Sequence, residues 1–169
     1  AKAKVLHEGQ PPRNENFLRK LFPGQERLLC LDEANGRVLW SQQWDCPYTT
    51  VATYAIGPRA TPTVDVDRVY ALGAEGHLFC FAAKDGAIVW QKDFKKAYSL
   101  KIPEWGTAAH PLVDGDRLIC VVGGAGTTCV AFDKRTGKEL WRALTSRQPG
   151  YCPPVIHTFG GLRQLIIWH

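Results

Sequence analysis

Residues 30–40 read CLDEANGRVLW, residues 80–90 read CFAAKDGAIVW and residues 131–141 read AFDKRTGKELW. In each copy a glycine (Gly36, Gly86, Gly137) stands four places before a tryptophan (Trp40, Trp90, Trp141), and the tryptophans recur at spacings of 50 and 51 residues. A fixed period of that length is the mark of a repeat architecture. Within each copy an apolar run meets a polar turn, and a second apolar run ends in the Trp, which predicts a β-hairpin. The Gly supplies the positive φ of the turn. Asn35, Asp85 and Thr136 before it suit a turn. Asp32 and Asp133 can accept backbone N–H groups inside it, whereas the middle copy has Ala82 and cannot.

A second hairpin repeats upstream of the later tryptophans. Residues 60–72 (ATPTVDVDRVYAL) and 109–121 (AHPLVDGDRLICV) share a Pro that opens the strand and an acidic turn before Arg, and 153–169 (PPVIHTFGGLRQLIIWH) is a weaker copy. The chain therefore predicts strands near 27–32 and 37–41, four over 59–91, four over 107–143, and two near 153–157 and 163–168. Four antiparallel strands at this period form a propeller blade. The fold class is all-β: a partial β-propeller, roughly three blades of four antiparallel strands each, over residues 25–169. Residues 1–24, with Pro11, Pro12 and Pro23, show no strand pattern and read as a poorly ordered arm with a helical turn in NFLRKLF.

A sandwich gives no reason for one large aromatic to close every fourth strand, whereas in a propeller each Trp can pack on the next blade. Burying an indole contributes roughly 4 to 6 kcal/mol as an upper bound. Three blades do not close a ring, and an open arc leaves strand edges free to pair. The expected partners are thus a second copy, the two ends complementing each other, or the remaining blades of a longer chain.

The pattern Ala131-x-Asp133-x-x-Thr136-Gly137-Lys138-x-x-Trp141 resembles the tryptophan-docking motif of pyrroloquinoline quinone (PQQ) type repeats, and the copies at 30–40 and 80–90 are degraded versions of it. Phrases such as GPRATPTVDVDRVYALGAEG are similar to the uncharacterised quinoprotein-like propellers common in bacteria. The resemblance implies a periplasmic or extracytoplasmic setting. It also implies one of two roles. The first is a cofactor-free binding or scaffold module for a protein, peptide or saccharide, as in the lipoprotein of the outer-membrane assembly machinery. The second is a fragment of a dehydrogenase that uses PQQ with calcium, whose cofactor residues lie outside this chain. Such dehydrogenases carry adjacent cysteines beside the quinone, and this chain has no Cys-Cys dipeptide. The first role, with no cofactor expected, is the preferred one.

Composition agrees with a folded domain: 45% of the 169 residues are hydrophobic. The formal charge of +5 is spread along the chain, which argues against a nucleic-acid partner. The densest basic run, Lys92, Lys95, Lys96 and Lys101 around Phe94 and Tyr98, reads as a solvated loop that could also suit an anion. No apolar stretch nears the roughly 18 to 20 residues of a membrane span, and no signal segment is visible. There is no Met, so a processed or excised segment is expected. Six cysteines include no Cys-x-x-Cys, and no metal site is expected. If the turn near Gly124 and Ala125 is tight, Cys120 and Cys129 fall opposite each other and can form a disulfide.

Ligands of propellers sit near the central axis, where the linkers between blades enter the innermost strands. Here those linkers (41–58, 91–106 and 142–152) carry Trp44, Tyr48, Tyr54, Phe94, Tyr98, Trp105 and Tyr151. Aromatics with a few polar groups suit a binding pocket, or they simply cover blade edges. The ligand-binding candidates are Arg59, Trp105, His110 and Tyr151. No Ser or Cys stands in a Gly-x-Ser-x-Gly elbow, so no catalytic residue is assigned.

Overall fold

The computed structural model describes residues 4–5, 14, 17–51 and 56–169. A first half-blade is the hairpin β3 (Gln25–Leu31) and β4 (Val38–Asp45). The first whole blade follows, with β5 (Thr63–Asp65), β6 (Arg68–Leu72), β7 (His77–Ala82) and β8 (Ile88–Asp93) in meander order. The second whole blade is β9 (Leu112–Asp114), β10 (Arg117–Val121), β11 (Cys129–Asp133) and β12 (Glu139–Ala143). A closing half-blade pairs β13 (Val155–Phe159) with β14 (Leu162–Ile166). Every neighbouring pair is antiparallel, so the twelve strands fall into the predicted groups and the fold is all-β with the four-stranded sheets of a propeller.

The repeated sequence makes the same local structure each time. The hairpin turn closes with Asp32 N–H on Arg37 O, Ala82 N–H on Ala87 O and Asp133 N–H on Lys138 O, all at 2.8 Å. Its glycine sits at φ +73, +73 and +71° at Gly36, Gly86 and Gly137. Asp133 accepts from the backbone of Thr136 (2.8 Å) and Asp32 from that of Ala34 (3.0 Å). The middle copy, with alanine there, uses Asp85 as acceptor for Ala87 N–H at 3.0 Å. A one-residue irregularity follows Cys30, Cys80 and Ala131 in turn.

Two expectations are corrected. The innermost strands are shorter than the sequence suggests, beginning at Thr63 and Leu112 directly after Pro62 and Pro111, which have no N–H for the ladder. The basic run is not a loop throughout: Phe94–Tyr98 form a one-turn helix, α1. Asp93 caps it through the Lys96 N–H, and buried Phe94 stacks on Phe132 at 6.1 Å. Among the described residues of NFLRKLF, Phe17 lies in a helical turn and bonds Asn14 O at 3.0 Å, and beyond it Arg19 and Phe22 bridge Val51 and Tyr48. Much of the arm expected over 1–24 lies outside the described residues, apart from the short pair β1 (Lys4–Val5) and β2 (Lys20–Leu21).

The core lies between blades. Alternation along the strands sends Val69, Ala71, Phe79 and Phe81 of the first whole blade toward the first half-blade, where Leu28, Trp40 and Trp44 meet them. Tyr70, Leu72, Leu78 and Cys80 point the other way, onto Leu118, Cys120, Val122, Val130 and Phe132. Ile119, Cys129 and Ala131 then face Ile156 and Leu165 of the closing half-blade.

Candidate functional site

Each meander turns alternately at its two ends, so the β6–β7 and β10–β11 turns share one face with the interblade linkers. Backbone contacts tie them there: Thr107 N–H to Ala74 O at 2.8 Å, Val51 N–H to Glu104 O at 3.0 Å and Gly124 N–H to Ser146 O at 2.8 Å.

Three of the four candidates come together on this face, each from a different linker. The Arg59 guanidinium carbon lies 6.0 Å from the centre of the Trp105 ring, within cation–π reach. The Tyr151 hydroxyl accepts the Trp105 backbone N–H at 3.3 Å. Phe17 meets the indole edge-on at 6.3 Å. Arg19, bonded through Nε to Thr49 O at 2.7 Å, adds a second positive charge near Tyr151. Partial burial raises the pKa of the Tyr151 phenol, and Glu104 adds to this against the two arginines. His110 is half-buried and no described contact joins it to the group.

The other linker aromatics serve the core. Trp44 packs at 4.5 Å on Phe79, and Tyr48 and Phe94 are buried. Tyr98 is half-buried and donates its hydroxyl to Glu139 at 2.7 Å. Tyr54 lies outside the described residues.

Sequence reasoning missed two buried carboxylates beneath this face. Glu26 accepts the Trp44 indole N–H (3.0 Å) and the Ala74 backbone N–H (2.9 Å). Glu75 accepts from Thr49 N–H and Lys95 Nζ, both at 2.6 Å, and from the Thr49 hydroxyl. Glu26 at the start of β3 and Glu75 in the β6–β7 turn both read as solvated acids, so no signal in the sequence distinguishes them. Burial and their negative charges push the nearby Cys46 thiol up to about 12.

The cysteine expectation is corrected. Cys120 pairs with Val130 and Cys129 with Val121, one step out of register. Side chains alternate, so Cys120 enters one interblade core and Cys129 the next, and both are free thiols. Burial pushes the Cys129 thiol up to about 11.

The repeated tryptophans occupy equivalent seats. The Trp40 indole N–H donates to Ala83 O at 2.8 Å and that of Trp90 to Lys134 O at 3.1 Å. A Cβ on Gly86 would fall 2.6 Å from the Trp40 ring, and one on Gly137 would fall 2.7 Å from the Trp90 ring. Glycine is required there both for its φ and for the close approach.

The family described as outer membrane protein assembly factor BamB matches residues 24–159. The chain belongs to this BamB-type family of PQQ-like repeats. Within the wider group a polyvinylalcohol dehydrogenase from Pseudomonas sp is 27% identical over 93 residues, 52% of this chain and 13% of that protein. The structure of BamB from Moraxella catarrhalis aligns at 22% identity with a TM-score of 0.43, over 73% of this chain and 32% of its own. The quinohemoprotein alcohol dehydrogenase from Comamonas testosteroni aligns at 19% identity and TM-score 0.51, over 73% of this chain and 19% of its own, and shares the fold. This BamB-type chain thus spans at most about a third of the length of these relatives. Among its described residues no helix is long and apolar enough to cross a membrane.

Proposed function

We propose that this segment is a non-catalytic binding or scaffold module whose linker face takes a carboxylate-bearing peptide or protein segment, in a periplasmic or other extracytoplasmic setting. The observation that carries it is the meeting of Arg59, Trp105 and Tyr151 from three successive linkers. Trp, Tyr and Arg are the side chains that dominate binding energy at protein interfaces, and two arginines favour an anionic partner. The family description, an assembly factor, supports the same reading. The tryptophan seats act in this proposal as docking points that hold neighbouring blades together.

The test is a titration of extended peptides, with and without Asp and Glu, followed by tryptophan fluorescence. Acidic peptides saturate, and Arg59→Ala or Trp105→Ala weakens them about tenfold, as loss of a hot-spot residue does. Saturable binding unaffected by either substitution, or none with any peptide, removes the proposal.

The match to a polyvinylalcohol dehydrogenase keeps a second reading in view, a fragment of an oxidoreductase that uses PQQ with calcium. The residues present do not fit the calcium part. Glu26 and Glu75, the buried carboxylates of this face, are already engaged by N–H, hydroxyl and ammonium donors, and among the described residues no three His, Cys, Asp or Glu side chains converge. Adding PQQ and calcium discriminates: a saturable thermal shift that Trp105→Ala abolishes would favour the dehydrogenase reading.

A further inference from the structure

One short turn, residues 73–76 between β6 and β7, holds three separate segments on the linker face. Thr107 of the following linker binds it twice, through its N–H to Ala74 O at 2.8 Å and through its hydroxyl to Gly73 O at 2.5 Å. The Phe94 N–H at the start of α1 donates to Gly76 O at 2.9 Å. The preceding linker is held differently, by the side chain of Glu75, which is wholly buried. Its carboxylate accepts the Thr49 N–H at 2.6 Å and the Thr49 hydroxyl at 2.9 Å, and the Lys95 ammonium lies 2.6 Å from its second oxygen.

The fold does not need a charge at this place. In the second whole blade the matching turn, residues 122–127, contains no acidic residue. It meets its preceding linker by packing, with Leu100 3.4 Å from where a Cβ on Gly123 would stand, and it ties the following one by the backbone bridge between Gly124 and Ser146. Burying a carboxylate and an ammonium costs desolvation that their attraction scarcely recovers, so the pair is weak evidence of a stabilising role. What the Glu75 carboxylate supplies is directional. It takes both donors of Thr49 and leaves the Thr49 carbonyl to accept Arg19 Nε at 2.7 Å. Two residues on, the Val51 N–H donates to Glu104 O at 3.0 Å, next to Trp105. The second arginine of the site and the loop that carries its indole are therefore both fastened to residues 49–51, and Glu75 fastens residue 49 to the blade.

We infer that Glu75 is a positioning residue for the linker-face site, holding Arg19 and the Trp105 loop against Arg59 and Tyr151 and thereby setting the preference for acidic over neutral segments. The inference rests on the peptide-binding reading above and adds where its selectivity is fixed. Glu75 acts through Thr49 and, being buried, touches no partner itself. Lys95 balances its charge, so that no uncompensated negative charge stands beneath a site that takes carboxylates. Once residue 49 is released, the long Arg19 side chain spreads over many rotamers, and the charge-dependent part of the affinity is the part that is lost.

The test uses the 169-residue chain and two probes, an extended peptide of alternating Glu and Thr and the same peptide with Gln in place of Glu. Affinities come from tryptophan fluorescence. The Arg19 Nε–H resonance, assigned by its loss in Arg19→Lys, reports the guanidinium directly by NMR. Glu75→Ala is expected to weaken the Glu peptide about tenfold while changing the Gln peptide less than about twofold, and to shift and broaden the Arg19 signal. Thr49→Val removes only the hydroxyl contact and lowers the selectivity by about threefold, which keeps the inference open to refutation if the alanine variant does not fold. The double substitution Glu75→Gln with Lys95→Met keeps an acceptor for the Thr49 N–H and a donor for its hydroxyl without either charge. It is expected to restore both the Arg19 signal and the selectivity. Equal weakening of both peptides, an unmoved Arg19 signal in folded Glu75→Ala, unchanged selectivity in Thr49→Val or failure of the double variant to restore it overturns the inference alone. Absence of binding by the unaltered chain removes the peptide-binding reading, and the inference with it.

Discussion

The first whole blade presents different surfaces to its two neighbours. Toward the second whole blade it offers a continuous apolar wall, with the Lys134 carbonyl receiving both the Trp90 indole and the Tyr70 hydroxyl, the latter at 3.0 Å. Toward the first half-blade it stacks aromatics, Phe79 and Phe81 against Trp40 and Trp44, above the buried carboxylates Glu26 and Glu75. The repeat thus preserves one contact, the indole on its turn, and leaves the surroundings free to be apolar or polar. A junction needs a seat for the tryptophan and a filled space around it, and the chemistry of the filling is negotiable.

The largest test of this contrast is Trp90→Ala. It removes a packed indole and leaves a cavity, and is expected to cost about 3 to 5 kcal/mol in urea unfolding. Trp40→Ala, at the junction with only a half-blade behind it, costs less; equal losses would show that the half-blade is anchored as firmly as a whole one. Next is Glu75→Ala. It strands the Thr49 donors and the Lys95 ammonium, which is only a third exposed, at a cost of about 2 to 3 kcal/mol. Amide exchange in residues 46–51 accelerates while that in β10 and β11 does not.

A smaller effect separates two roles of glycine. Gly86→Ala meets both the positive φ and the Trp40 ring, whereas Gly115→Ala, at φ +57° with open space around it, meets the backbone penalty alone. Thermal melts should differ by the equivalent of about 1 to 2 kcal/mol, the overpacking contribution. The smallest effect concerns the closing half-blade. Bidentate hydrogen bonds from Arg163 hold the Asp114 carboxyl below the usual aspartate range. Because the folded state lowers this pKa, the stabilisation is present above about pH 4 and is lost as pH falls through the folded value. Arg163→Leu should flatten the acid side of the β13–β14 exchange profile.

Much of this was legible in the chain. The Gly-to-Trp spacing and the paired turn signals give the blade period, because a hairpin needs particular residues at particular offsets and a repeat imposes them three times. Trp105 and Tyr151 stood out as linker aromatics and Arg59 and His110 as polar groups at strand entry; the structure brings the first three together, while His110 joins no such group. What was not legible depends on distance through space. Glu26 and Glu75 lie 49 residues apart and are buried by a linker whose course no local pattern dictates. The Cys120–Cys129 expectation failed because a hairpin loop of several residues does not fix register, and a slip of one residue sends a side chain to the opposite face.

Both filled tryptophan seats end on a main-chain carbonyl, Ala83 in one and Lys134 in the other. A carbonyl is present whatever side chain the position carries, so the receiving residue can change between alanine and lysine without touching the bond. The interface is therefore addressed to backbone shape, which lets successive units drift in sequence yet remain interchangeable as neighbours. Transplanting a turn from one unit into another should preserve the joint.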